Sequence, residues 1–146
     1  MDPSSDSLFT GLKYSMPFEV KFHVYWSQTD AAGIVHFSEF FSIVEHAEEE
    51  LYRAKGVLEA HGRMPRVEAY AVFKSPLRRG DVIRVVLRPL ELKEKAVKYG
   101  FEIYNETTGL LSATGHIVAV CVENDGGRLK STRCPSELIE AWKSVE

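Results

Sequence analysis

Apolar and polar residues alternate from Phe18 to Trp26: Phe18, Val20, Phe22, Val24 and Trp26 fall on one side, and Glu19, Lys21, His23 and Tyr25 on the other. A period of two predicts a strand. The rhythm breaks over Ser27 to Gly33 and resumes with a period of 3.6. Phe37, Phe40, Phe41, Val44, Ala47 and Leu51 then share one face of a helix expected from Ser38 to Lys55, with Gly56 suited to its C-terminal cap. After a polar connection at His61 to Pro65, alternation returns over Val67 to Phe73, Val82 to Leu87, Val97 to Tyr104 and Leu110 to Val122. Turn residues at Arg79 to Asp81, Asn105 to Gly109 and Asn124 to Gly127 punctuate these runs at hairpin spacing. Pro135 opens a short terminal helix over Ser136 to Lys143.

This order predicts an α+β domain in which a five-stranded antiparallel sheet wraps around one long central helix, with a short C-terminal helix added. The bulky stripe led by Phe37, Phe40 and Phe41 needs a sheet to cover it. The 146 residues suit one domain, expected over 16–146, with 1–15 a polar, loosely ordered lead-in. Such a sheet ends in edge strands, and pairing an edge with its counterpart in a second chain manages that exposure. At least a homodimer is predicted.

Charge and composition remove several functions. The formal net charge is -3 and the basic residues are dispersed, so nucleic acid is not an expected partner. The acidic, Ser-rich start lacks the features of a secretory signal, and no uncharged apolar run reaches the ~18 residues of a membrane span. A cytoplasmic protein without membrane partners is expected. The two cysteines, Cys121 and Cys134, read as neither a disulfide framework nor a metal site, which fits a reducing compartment. Asn105-Glu106-Thr107 reads as a hairpin turn despite its match to a glycosylation acceptor.

Candidate chemistry gathers where the first strand gives way to the helix. Asp30 precedes Ala31-Ala32-Gly33, and its side chain can bond the backbone two residues on; on spacing alone this structural role is favoured. The functional alternative uses the following helix. Its first N–H groups lack intrahelical partners and carry the positive end of the dipole, so the Phe37 amide can receive a carbonyl oxygen that gains negative charge. Asp30 beside that amide could attack the carbonyl or activate a water, which is acyl hydrolysis. His36 reads first as a helix-end residue. No Gly-x-Ser-x-Gly elbow accompanies it, which disfavours Ser/His chemistry.

The helix is crowded with Glu39, Glu45, Glu48, Glu49 and Glu50, mostly a solvated face. Glu48 is the exception, since it projects between Phe41, Val44 and Leu51 and must find a partner, bond across a subunit interface or have a raised pKa. Glu45, His46 and Glu49 lack the second Glu-x-x-His of a dinuclear carboxylate set, so no metal is expected.

The segment Thr29-Asp30-Ala31-Ala32-Gly33-Ile34-Val35-His36-Phe37, together with Lys74-Ser75-Pro76-Leu77-Arg78-Arg79-Gly80-Asp81, resembles the hotdog-fold acyl-CoA thioesterases, specifically the 4-hydroxybenzoyl-CoA thioesterase-like subclass. The resemblance covers Pro17 to Trp142. It implies Asp30 as catalytic carboxylate, the Phe37 amide as the group polarising the thioester carbonyl, and Gly33 and His36 at the substrate. It also implies a dimer with sites at the subunit interface, commonly paired into a tetramer, and an acyl-CoA substrate in which coenzyme A is no separate cofactor. Members of the short-chain branch that carry a His before the helix place it where Phe37 stands, so no catalytic role transfers to His36. An aromatic at Phe37 is more similar to the branch acting on aromatic acyl-CoAs, including 1,4-dihydroxy-2-naphthoyl-CoA. A second subclass uses a Glu nine residues after its His, and Glu45 holds that place as the alternative catalytic acid. Competing functions are a non-catalytic module binding acyl-CoA or an acyl carrier, and a hydratase or dehydratase.

Overall fold

The computed structural model describes residues 16–61 and 64–146, the side chain of residue 61 excepted. The expected lead-in over 1–15 lies outside the described residues. The chain folds as β1 (Phe18–His23), α1 (Phe37–Ala54), α2 (Leu58–His61), β2 (Arg66–Phe73), β3 (Val82–Leu92), β4 (Ala96–Asn105), β5 (Leu110–Val120), β6 (Val122–Asp125), β7 (Arg128–Ser131) and α3 (Ser136–Lys143). Five strands form one antiparallel sheet in the order β1-β3-β4-β5-β2, as the alternating runs predict, and β6 pairs with β7 in a separate hairpin.

The pairing puts Val85 opposite Val20 and Ile103, and Ile117 opposite Tyr99 and Ala69, so one face of the sheet carries the core. α1 lies against this face, most closely over β1 and β3, with Phe40, Ile43, Val44, Ala47, Leu51 and Tyr52 buried. α3 adds Leu138 and Trp142 to the same core. Among the described residues, no helix is long and apolar enough to cross a membrane.

Several boundaries move for identifiable reasons. β1 stops at His23 because Trp26–Gln28 turn into a 3-10 helix that leaves Tyr25 and Trp26 exposed. β3 runs to Leu92 rather than Leu87, passing Pro89 by a register shift between Pro89 and Glu91. Proline lacks a ladder N–H, and a bulge accommodates it. The last predicted strand divides at Cys121, and Val122 belongs to the β6–β7 hairpin. Phe37, expected in the apolar stripe, is exposed. At the first helical position it projects past the end of the packed face.

The cysteine expectation is overturned. Cys121 and Cys134 form a disulfide with Cα atoms 5.3 Å apart, closing a loop over a sequence separation of 13 that contains the β6–β7 hairpin. Hairpin pairing folds the chain back and brings together two residues that look unrelated in sequence. The cysteine content therefore lends no support to a reducing compartment. Unfolding without reductant is expected to expose no thiol to a thiol reagent, and prior reduction to expose two and to cost about 3 kcal/mol for a loop of roughly this size, read as a lower urea midpoint.

Candidate active site

The chain between β1 and α1 is a tight turn built by Asp30. Its carbonyl accepts from Gly33 N at 2.9 Å, its own N–H donates to Ile34 O at 2.9 Å, and its Oδ1 accepts from Ala32 N at 2.8 Å. Gly33 closes the turn at φ +80, a conformation that a side chain would strain. The structural role foreseen for Asp30 is thus present. It leaves the functional role open, because among the described residues Oδ2 accepts no hydrogen bond and the residue is exposed. Backbone donors hold one carboxylate oxygen and leave the other facing outward.

The turn is fastened to the chain before β3. Val35 N donates to Leu77 O at 2.9 Å and Ile34 bridges Arg78, while Arg78 N donates to Asp81 Oδ2 at 2.8 Å. The two segments singled out in the sequence therefore meet in space, one carrying the acid and the other bracing it.

His36 is the N-cap of α1. Its Nδ1 accepts from Ser38 N at 3.3 Å and lies 2.8 Å from Ser38 Oγ, which fixes the proton on Nε2 when the ring is neutral. His36 thereby takes the helix-end role and orders the donors beside it. The amide of Phe37, first in the helix, has no acceptor among the described residues. The Phe37 ring packs against His36 at 4.4 Å between centroids and against Phe73 of β2 at 6.4 Å, and Phe40 meets Phe73 edge-on at 5.0 Å. An aromatic cluster therefore stands beside the free helix N-terminus. Phe73 had no signal in the sequence beyond its place in an alternating run.

Glu48 is fully buried and fully partnered. Tyr52 donates to Oε2 at 2.7 Å, Tyr99 donates to Oε1 at 2.7 Å, and Arg66 Nη2 stands 2.6 Å from Oε1 as an ion pair. Trp142 of α3 extends the network, donating from Nε1 to the Tyr52 hydroxyl at 3.1 Å and stacking on Tyr99 at 4.7 Å. Burial, and then the charge of Glu48, raise the Tyr52 and Tyr99 phenols well above the ordinary range. Burial alone would lower the Arg66 guanidinium, but the Glu48 carboxylate outweighs it and the net shift is upward.

These raised phenols predict a pH response. Both keep their protons in the folded state at a pH where the unfolded chain, titrating near about 10, has lost them. Their contribution to stability is complete below that pH and declines as pH rises towards the folded values. Denaturant melts are expected to change little on this account between about pH 8 and 9.5 and to weaken above about pH 10. Tyr52→Phe should flatten that alkaline limb.

The remaining candidates separate. Glu45 is exposed and lines a cavity of about 240 Å³ between α1 and the sheet. His46 stands edge-on to Phe22 at 6.3 Å, and Glu49 pairs with Arg53 at 2.7 Å, so neither converges with Glu45. Among the basic residues, Arg88 pairs with Glu102 and Lys93 with Glu91, whereas Arg78 and Arg79 form no ion pair among the described residues.

Residues 24–142 match the model of the thioesterase-like superfamily. A putative esterase of Aquifex aeolicus is 32% identical over 134 residues, covering 88% of this chain and 99% of that protein. A 1,4-dihydroxy-2-naphthoyl-CoA hydrolase of Crocosphaera subtropica is 33% identical over 89 residues, covering 57% of this chain and 65% of that protein. The crystal structure of a 1,4-dihydroxy-2-naphthoyl-CoA thioesterase from Synechocystis superposes with a TM-score of 0.78 at 23% identity, over 88% of this chain and 97% of that one.

Proposed function

The chain belongs to the thioesterase-like superfamily and is a thioester hydrolase, and on that premise we propose that it cleaves an acyl-CoA to a free acid and coenzyme A at Asp30 and the Phe37 amide. The observation that carries this reading is the Asp30 turn: backbone donors hold Oδ1, Oδ2 stays available, and the chain runs directly into a helix whose first N–H is unengaged. The thioester carbonyl oxygen accepts from the Phe37 N–H. Asp30 takes a proton from water as the resulting hydroxide adds to the carbonyl carbon, the Phe37 N–H and helix dipole stabilise the oxyanion, and collapse expels the CoA thiolate, which recovers the proton from Asp30. Direct attack by Asp30 followed by hydrolysis of the mixed anhydride gives the same products from the same two groups. Gly33 shapes the approach to the acid, and His36 holds the helix end at the substrate. No group beyond coenzyme A itself is required.

An aromatic acyl group, such as a hydroxybenzoyl or dihydroxynaphthoyl group, suits the cluster of Phe37, Phe40 and Phe73 beside the amide. Glu45, as a carboxylate lining the neighbouring cavity, is the alternative acid. Among the described residues the edge strand β2 pairs only with β5, and it exposes Val67, Tyr70 and Phe73, which supports pairing of β2 with β2 of a second copy in a dimer or a dimer of dimers. Thiol release from aliphatic and aromatic CoA thioesters tests the activity. Release from at least one sustains it, whereas tight binding of CoA esters without release would reassign the protein as a binding module. Loss of acyl unsaturation or hydroxyl with the thioester intact would make it a hydratase or dehydratase.

A further inference from the structure

The chemistry proposed above leaves Asn105 unexplained, a polar side chain at the end of β4 that is only 1% exposed. Its Oδ1 accepts from Thr107 N at 2.9 Å and from Thr108 N at 3.2 Å, which settles the orientation of the amide. Nδ2 therefore faces Asp81. It donates to Asp81 Oδ2 at 2.7 Å, and the same oxygen accepts from Arg78 N at 2.8 Å. One carboxylate oxygen thus ties the β4–β5 hairpin to the turn at 78–81.

That turn stands between β1 and the acid. Asp81 N donates to Arg78 O at 3.0 Å to close it, with Gly80 at φ +86, while Gly80 N donates to Val24 O and Val24 N to Asp81 O, both at 2.9 Å. On the other side Arg78 bridges Ile34, whose carbonyl accepts from Asp30 N at 2.9 Å, and Val35 N donates to Leu77 O at 2.9 Å. Asp30 itself is exposed, so these backbone contacts rather than packing fix its place. A turn former at Asp81 would need only the Arg78 N–H. The second donor, from a buried side chain on another hairpin, sets where the turn sits rather than whether it forms.

We propose that Asp81, oriented by Asn105, is a positioning residue: it holds the Arg78 backbone where it places Ile34, and through Ile34 the Asp30 carboxylate, against the start of α1. The proposal rests on the hydrolysis reading above. Asp81 acts only through geometry, and a misplacement of about 1 Å at a reacting group can cost about a hundredfold in rate.

Asp81→Ala is expected to lower kcat on the best acyl-CoA by about tenfold or more, with KM within about threefold of wild type. Asp81→Asn keeps an oxygen for Arg78 N and should recover most of that loss. In the Asp30→Asn background, Asp81→Ala should change the residual kcat by less than about twofold, because the carboxylate it positions is gone. An equal loss in both backgrounds, or an unchanged kcat for Asp81→Ala alone, overturns the proposal. If Asp81→Ala does not fold, Asp81→Glu keeps the test decisive: it retains the charge, moves the acceptor by one methylene and should show the same kcat loss. Amide exchange supplies a readout independent of turnover. The Val35 N–H should exchange about tenfold faster or more in Asp81→Ala, with the Val85 N–H of β3 unchanged, and unaltered Val35 protection overturns the brace. If the wild type releases thiol from no CoA thioester, hydrolysis falls, and the Val35 measurement by itself decides whether Asp81 holds the turn.

Discussion

Replacing Asp30 with Asn is expected to lower kcat/KM on the best acyl-CoA by about a hundred- to ten-thousand-fold, the range lost with a positioned acid–base group. The substitution keeps the amide oxygen that can accept from Ala32 N, so the turn with its 2.9 Å Gly33 N to Asp30 O bond should survive. The thermal midpoint should stay within a few degrees of wild type, and the loss should appear in kcat more than in KM. That division distinguishes a reacting carboxylate from a turn former, which would lose stability and activity together. Glu45→Gln belongs in the same assay. If Asp30→Asn retained wild-type kcat/KM and Glu45→Gln lost it, the chemistry would move to the carboxylate on α1.

The two halves of the candidate site were not equally legible. Asp30, Gly33, His36 and Phe37 lie within eight consecutive positions, and their arrangement follows from local rules: an Asp that bonds forward, a glycine at positive φ and a capped helix start. The sheet was legible for the same reason, since alternation is local and the hairpin turns are short. Glu48 was visible as a charge in an apolar stripe, but its partners were not. Arg66 and Tyr99 reach it only after β2, β4 and β5 have paired, and Trp142 only after α3 docks on the sheet. The disulfide failed to show in sequence through the same dependence on folding back, here of the β6–β7 hairpin. A helical wheel has no ends and so puts Phe37 in the apolar stripe, whereas the first helical residue meets the sheet by an edge contact with Phe73 and stays exposed while Phe40, three residues on, is buried.

Glu48→Ala is expected to be the most damaging single substitution to stability, lowering the free energy of unfolding by about 3–5 kcal/mol, as breaking a buried ion pair from one side commonly does. The variant leaves the Arg66 guanidinium beside an empty space and removes the carboxylate to which the Tyr52 and Tyr99 hydroxyls donate. Glu48→Gln should cost less, because it retains one oxygen for the phenols while losing the charge. Urea unfolding of both variants measures the order, and a loss under about 1 kcal/mol for Glu48→Ala would mean that water enters and solvates the network. The double variant Glu48→Leu with Arg66→Met then asks why the pair is there. Apolar replacement of both ions often restores stability, and here Tyr52 can still accept from Trp142, leaving the Tyr99 hydroxyl as the main unsatisfied group. Recovery of most of the lost stability in the double variant would show that the fold does not need these charges.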